Sequence, residues 1–160
     1  MSAKKEIIIY SDGACAGNPG PGGYGAILVF GKNEKKIAAG FRKTTNNRME
    51  IMAVIEALKS LKFSCRAVIY SDSKYVVDAM TKHWPHKWRQ KNWHTSGKQL
   101  AKNVDLWKEM LELEQQHELV FNWVKGHSGN HYNEIADELA VGARDDKANY
   151  KVDEPYEKDA

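Results

Sequence analysis

Two rhythms of hydrophobic and polar positions run along this chain. Residues Glu6 to Asp12, "EIIIYSD", are an apolar, β-branched run that stops on a carboxylate, the pattern of a strand buried on both faces. "YGAILVFG" predicts a second strand and "KKIAAGFRK" a third with cruder alternation; the short links between the three imply an antiparallel meander. In "NNRMEIMAVIEALKSL" the period changes, with Ile51, Ile55 and Leu58 at helical spacing and Asn47 as the expected N-cap. "RAVIYSD" predicts a fourth strand that ends on Asp72 much as the first ends on Asp12. "SKYVVDAMTKH" follows as a helix capped by Ser73 or Asp72, and "NVDLWKEMLELEQQ" as another. "ELVFNWV" is the fifth strand, "KGHSGNHYN" a loop and "NEIADELAVGAR" the last helix.

This order, β-β-β-α-β-α-α-β-α, predicts an α/β fold. The expected core is a five-stranded mixed sheet flanked by helices, three antiparallel strands followed by parallel crossovers. Right-handed crossovers make strands one, four and five parallel neighbours. A single domain over residues 1–144 is expected, with 145–160 a polar acidic tail, disordered.

Composition narrows the class. No apolar run approaches the roughly 20 residues that span a bilayer, and the N-terminal run is too short for a signal peptide, so a cytoplasmic address is expected. Cys15 and Cys65 sit in no CxxC or Cys/His set and read as idle thiols. The net charge of +3 hides an uneven distribution. Lys82 to Asn103 holds six Lys or Arg, no acid, three Trp and three His, whereas the last sixteen residues carry six acids against three bases. Positive charge is concentrated in one segment, about 82–103.

Five glycines crowd into Gly17 to Gly25. They do not make a mononucleotide loop, because no GK[ST] follows and the chain runs into a strand rather than a helix. A wide turn is the minimum reading; close approach of a large ligand, with Asn18 offering its amide, is the other.

Four carboxylates carry candidate chemistry. Asp12 and Asp72 end two strands expected to lie side by side, at the sheet edge where α/β folds place ligands. Two such acids repel unless a cation sits between them, and hard divalent cations favour oxygen ligands. Each alone is as easily a turn or helix cap; the matched pair favours a metal. Glu50 stands three after Asn47, as in a capping box, yet its helical partners Val54, Ala57 and Leu61 are apolar, so it tends inward. In the last helix Glu134 and Asp137 form an i,i+3 like-charge pair that the helix dipole or a cation would relieve.

"YSDGACAGNPGPGGYGAIL", "TTNNRMEIMAVIEAL", "YSDSKYV", "KNVDLWKEM" and "WVKGHSGN…NEIADELA" resemble, in order, the motifs of the ribonuclease H type 1 family in its bacterial ribonuclease HI form, over about Glu6 to Arg144. The resemblance implies a monomeric endonuclease that cleaves the RNA strand of RNA–DNA hybrids with little sequence specificity. It implies metal ligation by Asp12, Glu50, Asp72 and Asp137, with His127 as a mobile-loop histidine and Glu134 as an accessory acid. The implied cofactor is Mg2+, two ions per site with substrate roughly 3.5–4 Å apart, for which Mn2+ can substitute. Asp12 would bridge both ions, and the products would carry 5′-phosphate and 3′-hydroxyl ends. His127 would relay a proton or assist product departure.

The resemblance also implies substrate contacts. Asn18, Asn47, Glu50 and nearby backbone amides match groups that read the RNA strand through its 2′-hydroxyls, and Asn46 is a further substrate-binding candidate. Thr45 matches a residue holding a DNA phosphate. The basic segment matches a handle, with Lys87, Arg89 and Lys91 on DNA phosphates and Trp84 or Trp88 against sugars. Trp107 and Trp123 read as packing residues. Lys74 stands where many relatives carry glutamine and adds a potential phosphate contact. The last loop lacks the proline and arginine often found there. The alternatives are a silent hybrid-binding module, which would lack one of the four acids, and a strand-transfer or junction-cutting enzyme on the same fold.

Overall fold

A computed structural model describes residues 4–158. Three strands, β1 (Lys5–Cys15), β2 (Gly20–Phe30) and β3 (Asn33–Thr44), form the antiparallel meander; β4 (Cys65–Ser71) and β5 (Glu118–Trp123) complete the sheet. The strand order is β3-β2-β1-β4-β5, with β1, β4 and β5 parallel neighbours. Between them run helices α1 (Asn46–Lys59), α2 (Lys74–Thr81), α3 (Trp84–Gln90) and α4 (Val104–Gln116), and α5 (His131–Asp145) follows β5. The expected five-stranded mixed sheet is the observed one; helix α3, inside the basic segment, was not expected because that segment has no clean helical periodicity. Among the described residues no helix is long and apolar enough to cross a membrane.

Adjacent residues of β2 meet different helices. A Cβ on Gly22 would press on Met49 of α1, and one on Gly23 on Ala140 of α5. Since neighbouring side chains in a strand point to opposite faces, the two helices cover opposite sides of the sheet. On the α1 side lies the core: Ile7 and Ile9 of β1 pack with Ile51, Val54, Ile55 and Leu58, and α4 closes it with Trp107 and Met110. Burial of each such aliphatic side chain contributes about 1.5–3 kcal/mol.

The glycines after Asp12 are not mainly a turn. Four of the five lie inside β2. At Gly25, a Cβ would stand 2.7 Å from the Ala136 carbonyl oxygen, so only glycine lets α5 lie this close to the sheet. That spacing brings the N-terminal half of α5 up to the end of β1.

Helix α1 is capped by Thr45, whose hydroxyl accepts from the Arg48 N–H at 3.2 Å, rather than by Asn47, which lies in the first turn. Threonine at this position fixes the extended backbone before the helix, and Glu50 is thereby released from a capping-box role. Of the two alternatives for α2, Ser73 is the cap.

The acidic tail, expected to be disordered, is folded onto the domain through residue 158. Helix α5 continues to Asp145, a 3-10 turn spans Lys147–Asn149, and a short helix α6 covers Glu154–Lys158. Backbone bonds tie Lys151 to the edge of β3, donating to Gly40 O at 2.8 Å and accepting from Arg42 N at 3.1 Å. Asp153, 2% exposed, accepts from the Thr44 hydroxyl and from Arg48 Nε, both at 2.7 Å. Arg48 in turn reaches Asp105 at the start of α4 with both terminal nitrogens, at 2.9 and 2.7 Å. One buried guanidinium thus joins α1, α4 and the tail. Composition pointed to disorder because the acids look unpartnered along the chain; their partner lies a hundred residues away.

Removing one member of a buried ion pair leaves the other uncompensated. Asp153→Ala is therefore expected to cost about 3 kcal/mol, read as a shift in the midpoint of urea unfolding, and to free residues 151–158 for proteolysis. For Asp105, burial pushes the carboxyl up, but the Arg48 hydrogen bonds and charge more than offset it and hold its pKa below the ordinary aspartate value. Stability from that pair is present above the unfolded-state pKa and lost as pH falls through the folded one. Wild type and Asp105→Asn should accordingly converge in thermal midpoint as pH falls below the ordinary aspartate value of 3.8 and on through the lower folded-state one.

Candidate metal and nucleic-acid site

The parallel register of β1 and β4 runs Tyr10 with Tyr70 and Ser11 with Ser71, and there β4 ends. β1 continues, paired only with β2, and Asp12 faces Gly25. The next residue of each strand is an aspartate, so Asp12 and Asp72 stand side by side where the sheet splits. Glu50 comes from the opposite face, across the second turn of α1, and accepts from the Gly13 N–H. One carboxylate oxygen from each of Asp12, Glu50 and Asp72 lies within 4.8 Å of the others.

Asp137, on the α5 face, comes within hydrogen-bond reach of Asp12. A cavity of about 20 Å³, the room of one water-sized body, is lined by Ser11, Asp12 and Asp72 together with His127, Glu134 and Asp137. All five acids and the histidine expected from the sequence therefore fall in one place: four acids from strand or helix ends, Glu50 from α1 and His127 from the loop 124–130. His127 is exposed and held at φ 53°, a left-handed backbone uncommon for a side chain with a Cβ. Gly126 precedes it because a Cβ there would stand 2.7 Å from Asp72 Oδ2. The loop is thus pressed against the acid cluster.

The electrostatics show what the site is suited to hold. Burial, then the Asp72 charge, pushes the Asp12 carboxyl up to about 8. Glu50 is raised well above the usual carboxylate range by burial first and by Asp12 and Asp72 next. No lysine or arginine among the described residues makes an ion pair with these acids. The donor set is all oxygen, converging and uncompensated, which fits a hard divalent cation. Two further groups point inward: Ser11 Oγ and Asn133 Nδ2 are buried without a hydrogen-bond partner, and both residues line the same cavity. Neither was singled out from the sequence. Asn133 precedes Glu134 and reads as an ordinary first-turn polar residue of a helix.

Beside the cluster lies a larger groove of about 980 Å³. Asn18, Thr45 and Asn47 line one side, and Asn18 Oδ1 accepts from the Asn46 N–H at 3.1 Å, clasping the β1–β2 turn to the start of α1. The basic segment projects as α3 and the turns after it. Lys87, Arg89 and Lys91 are exposed, while Trp84 and Trp88 are half-buried against the core, Trp88 edge-on to Trp107 at 6.5 Å between centroids. Their rings are committed to holding the segment in place.

Trp107 is fully buried, as expected of packing. Trp123 is not: it is 45% exposed, donates from Nε1 to the Asp72 carbonyl at 3.1 Å, and lies 4.8 Å beneath the Lys74 ammonium. Its place at the end of β5, directly after the position paired with Tyr70, is the signal that could have marked it. Lys74 is thereby held over a ring at the rim of the acid cluster.

Comparison with known proteins converges on one family. The RNase H family pattern matches residues 4–145. Ribonuclease H of Rippkaea orientalis is 50% identical over 153 residues, covering 96% of this chain and 93% of that protein. Ribonuclease HI of Synechocystis sp. is 47% identical over 158 residues, 98% of each. Among solved structures, LC9-RNase H1, a type 1 RNase H with the type 2 active-site motif, superposes with a TM-score of 0.79 at 33% identity, covering 90% of this chain and 74% of that one. LC11-RNase H1 in complex with an RNA/DNA hybrid superposes with a TM-score of 0.68 at 26% identity over 89% and 99%. The split sheet, the acids gathered at it and these likenesses agree, and the chain belongs to the RNase H family.

Proposed function

We propose that this protein is an endonuclease hydrolysing the RNA strand of RNA–DNA hybrids, with Mg2+ at the acid cluster and Mn2+ able to replace it. The observation that carries the reading is the convergence of Asp12, Glu50 and Asp72 within 4.8 Å without a compensating cation. A relative solved with an RNA/DNA hybrid supports the choice of substrate.

Asp12, Glu50, Asp72 and Asp137 would hold the ions, Asp12 standing among the other acids. When bound, such ions lower the pKa of a water nucleophile and stabilise the leaving 3′-oxygen, leaving 5′-phosphate and 3′-hydroxyl ends. Glu50 is oriented by the Gly13 N–H, and Asp72 by the rigid end of β4 and by Trp123 beneath its backbone. Ser11 and Asn133 offer unpartnered polar atoms to a bound water or phosphate oxygen. His127, on the exposed loop beside the cluster, would move a proton at the leaving oxygen and let product go. Glu134 assists from the same wall.

The RNA strand would be read at its 2′-hydroxyls by Asn18, Asn46, Asn47 and the inward Glu50. Thr45 would hold a DNA phosphate, Lys74 an RNA phosphate, and Lys87, Arg89 and Lys91 the DNA backbone further out. Contacts to backbone rather than base edges make recognition tolerant of sequence. Trp84 and Trp88 fit a supporting role better than sugar contacts, since both are packed inward. A monomer in the cytoplasm suits this activity.

The experiment is a labelled RNA–DNA hybrid beside duplex RNA and duplex DNA, with magnesium or with EDTA. Only the hybrid should be cut, only with metal, and only in its RNA strand. Binding without cleavage would return the silent binding module, and cut duplex DNA the strand-transfer reading.

Replacing Asp12 has two opposite effects. Asp12→Asn should reduce cleavage to background. Because the folded-state pKa of Asp12 is raised, its stabilising share is complete below its unfolded value near 3.8 and is lost as pH rises towards about 8. At pH 7 in EDTA the Asn variant should therefore be more stable by on the order of 2 kcal/mol, a rise in Tm of roughly 4–8 °C that shrinks towards pH 4. An inactive variant that is also less stable would indicate damage to the fold instead.

Converting Lys87, Arg89 and Lys91 to alanine should raise KM by roughly tenfold or more with little change in kcat. The slope of log affinity against log salt should fall by up to about three contacts' worth. An unchanged slope would remove these residues from the interface.

A further inference from the structure

The acidic tail is the one part of the chain to which the resemblance assigned nothing, yet it reaches the groove. Pro155 and Tyr156 line the same 980 Å³ groove as Asn18, Thr45 and Asn47, and on the remaining side stand Lys102 and Lys108. The tail is held there at three points. Lys151 extends the edge of β3, Asp153 is buried against Arg48 and Thr44, and Glu157 pairs with the Arg42 guanidinium at 2.9 Å. Asp153 and Glu157 are each paired with an arginine, which among the described residues leaves exposed Glu154 as the one acid of α6 and the residues just before it without an ion pair. What it turns to the groove is a pyrrolidine ring and an aromatic ring. Tyr156 is half-buried, its ring centroid 5.9 Å from the Arg48 guanidinium carbon, which fixes its plane.

We propose that Pro155 and Tyr156 form the outer wall of the channel that receives the DNA strand of the hybrid, packing against deoxyribose while Thr45, Lys102 and Lys108 meet the flanking phosphates. The proposal rests on the hybrid-cleaving reading and extends it to the tail. The chemistry favours DNA over RNA at this wall: deoxyribose offers an apolar 2′ edge to proline and tyrosine, whereas a 2′-hydroxyl would be dehydrated there with no partner. Arg48 acts as a positioning residue, since it holds the tail, the start of α4 and the first turn of α1 to one another and so sets the width of the channel.

The test is steady-state cleavage of a short hybrid by the full chain and by Tyr156→Ala and Tyr156→Phe, with Tm recorded for each. Tyr156→Ala should raise KM roughly five-fold and leave kcat and the salt slope of binding unchanged, because the lost contact is uncharged. Tyr156→Phe should keep the wild-type KM. A merely structural role would instead lower Tm and kcat together. A folded Ala variant with wild-type KM, or a Phe variant as weak as Ala, would overturn the proposal while hybrid cleavage by the wild type stood. Failure of the wild type to cut the hybrid would overturn the underlying reading.

Discussion

Mutual repulsion among buried carboxylates is the constraint around which this structure is organised. Asp12, Glu50 and Asp72 approach within 4.8 Å in a setting that raises the first two well above ordinary carboxylate values. A chain selected for stability alone would not keep them: an amide in place of Asp12 would give the same shape without the charge. The arrangement is held by force from elsewhere. The parallel pairing of β1 and β4 fixes two of the acids, an almost wholly buried α1 fixes Glu50, and a glycine-lined sheet face lets α5 deliver Asp137. Stability invested in the core is what permits a site that is unfavourable until a cation enters it.

The same economy appears at the second charged centre, where the sign is reversed. Arg48 is buried but fully answered, by Asp105 on one side and Asp153 on the other. Only two residues of α1, about 200° around the helix, separate it from Glu50, so a single helix carries a satisfied charge outward to the groove and an unsatisfied one inward to the cluster. Rigidity at Arg48 is useful to the site for that reason. The residues expected to read substrate, Thr45 to Asn47, are the first turn of this helix and inherit its placement.

Much of this was legible in the sequence because it is local. Strand and helix periods gave the element order, and the repeated endings "YSDG" and "YSDS" revealed two acids in equivalent places once β1 and β4 were taken as parallel neighbours. Glu50 was legible from the apolar residues at its helical partners. The failures share a different cause, since each needed a contact between distant segments. Asn47 was favoured as cap although Thr45, two residues earlier, has the extended backbone a cap requires. The glycines after Asp12 read as a turn because nothing local announces that α5, over a hundred residues on, must lie against β2. Trp123 read as core because its carbonyl partner, Asp72, is fifty-one residues away. The tail read as disordered because its partner arginines, Arg42 and Arg48, lie in β3 and α1. Composition reports what a segment lacks, and here the rest of the fold supplied it.

The ordering of that tail bears on how the groove is built. Three of its walls come from regions that could vary independently: the β1–β2 turn, the exit of the basic segment and residues 151–158 of the tail. Each is tied back to the start of α1, the turn through Asn18 to Asn46, the segment's exit through Asn103 and Asp105 to Arg48, and the tail through Asp153 to Arg48 and Thr44. A channel assembled from three loops would ordinarily flex and lose affinity to the entropy of ordering them on binding. Here the loops share one anchor, and that anchor is the helix that also carries Glu50 of the acid cluster. Substrate that pressed on any wall would therefore push against Glu50 through a few bonds rather than through a chain of soft contacts. On the proposed hybrid-cleaving reading, the first turn of α1, more than the exposed lysines of the handle, would be the element that aligns the RNA strand with the acid cluster.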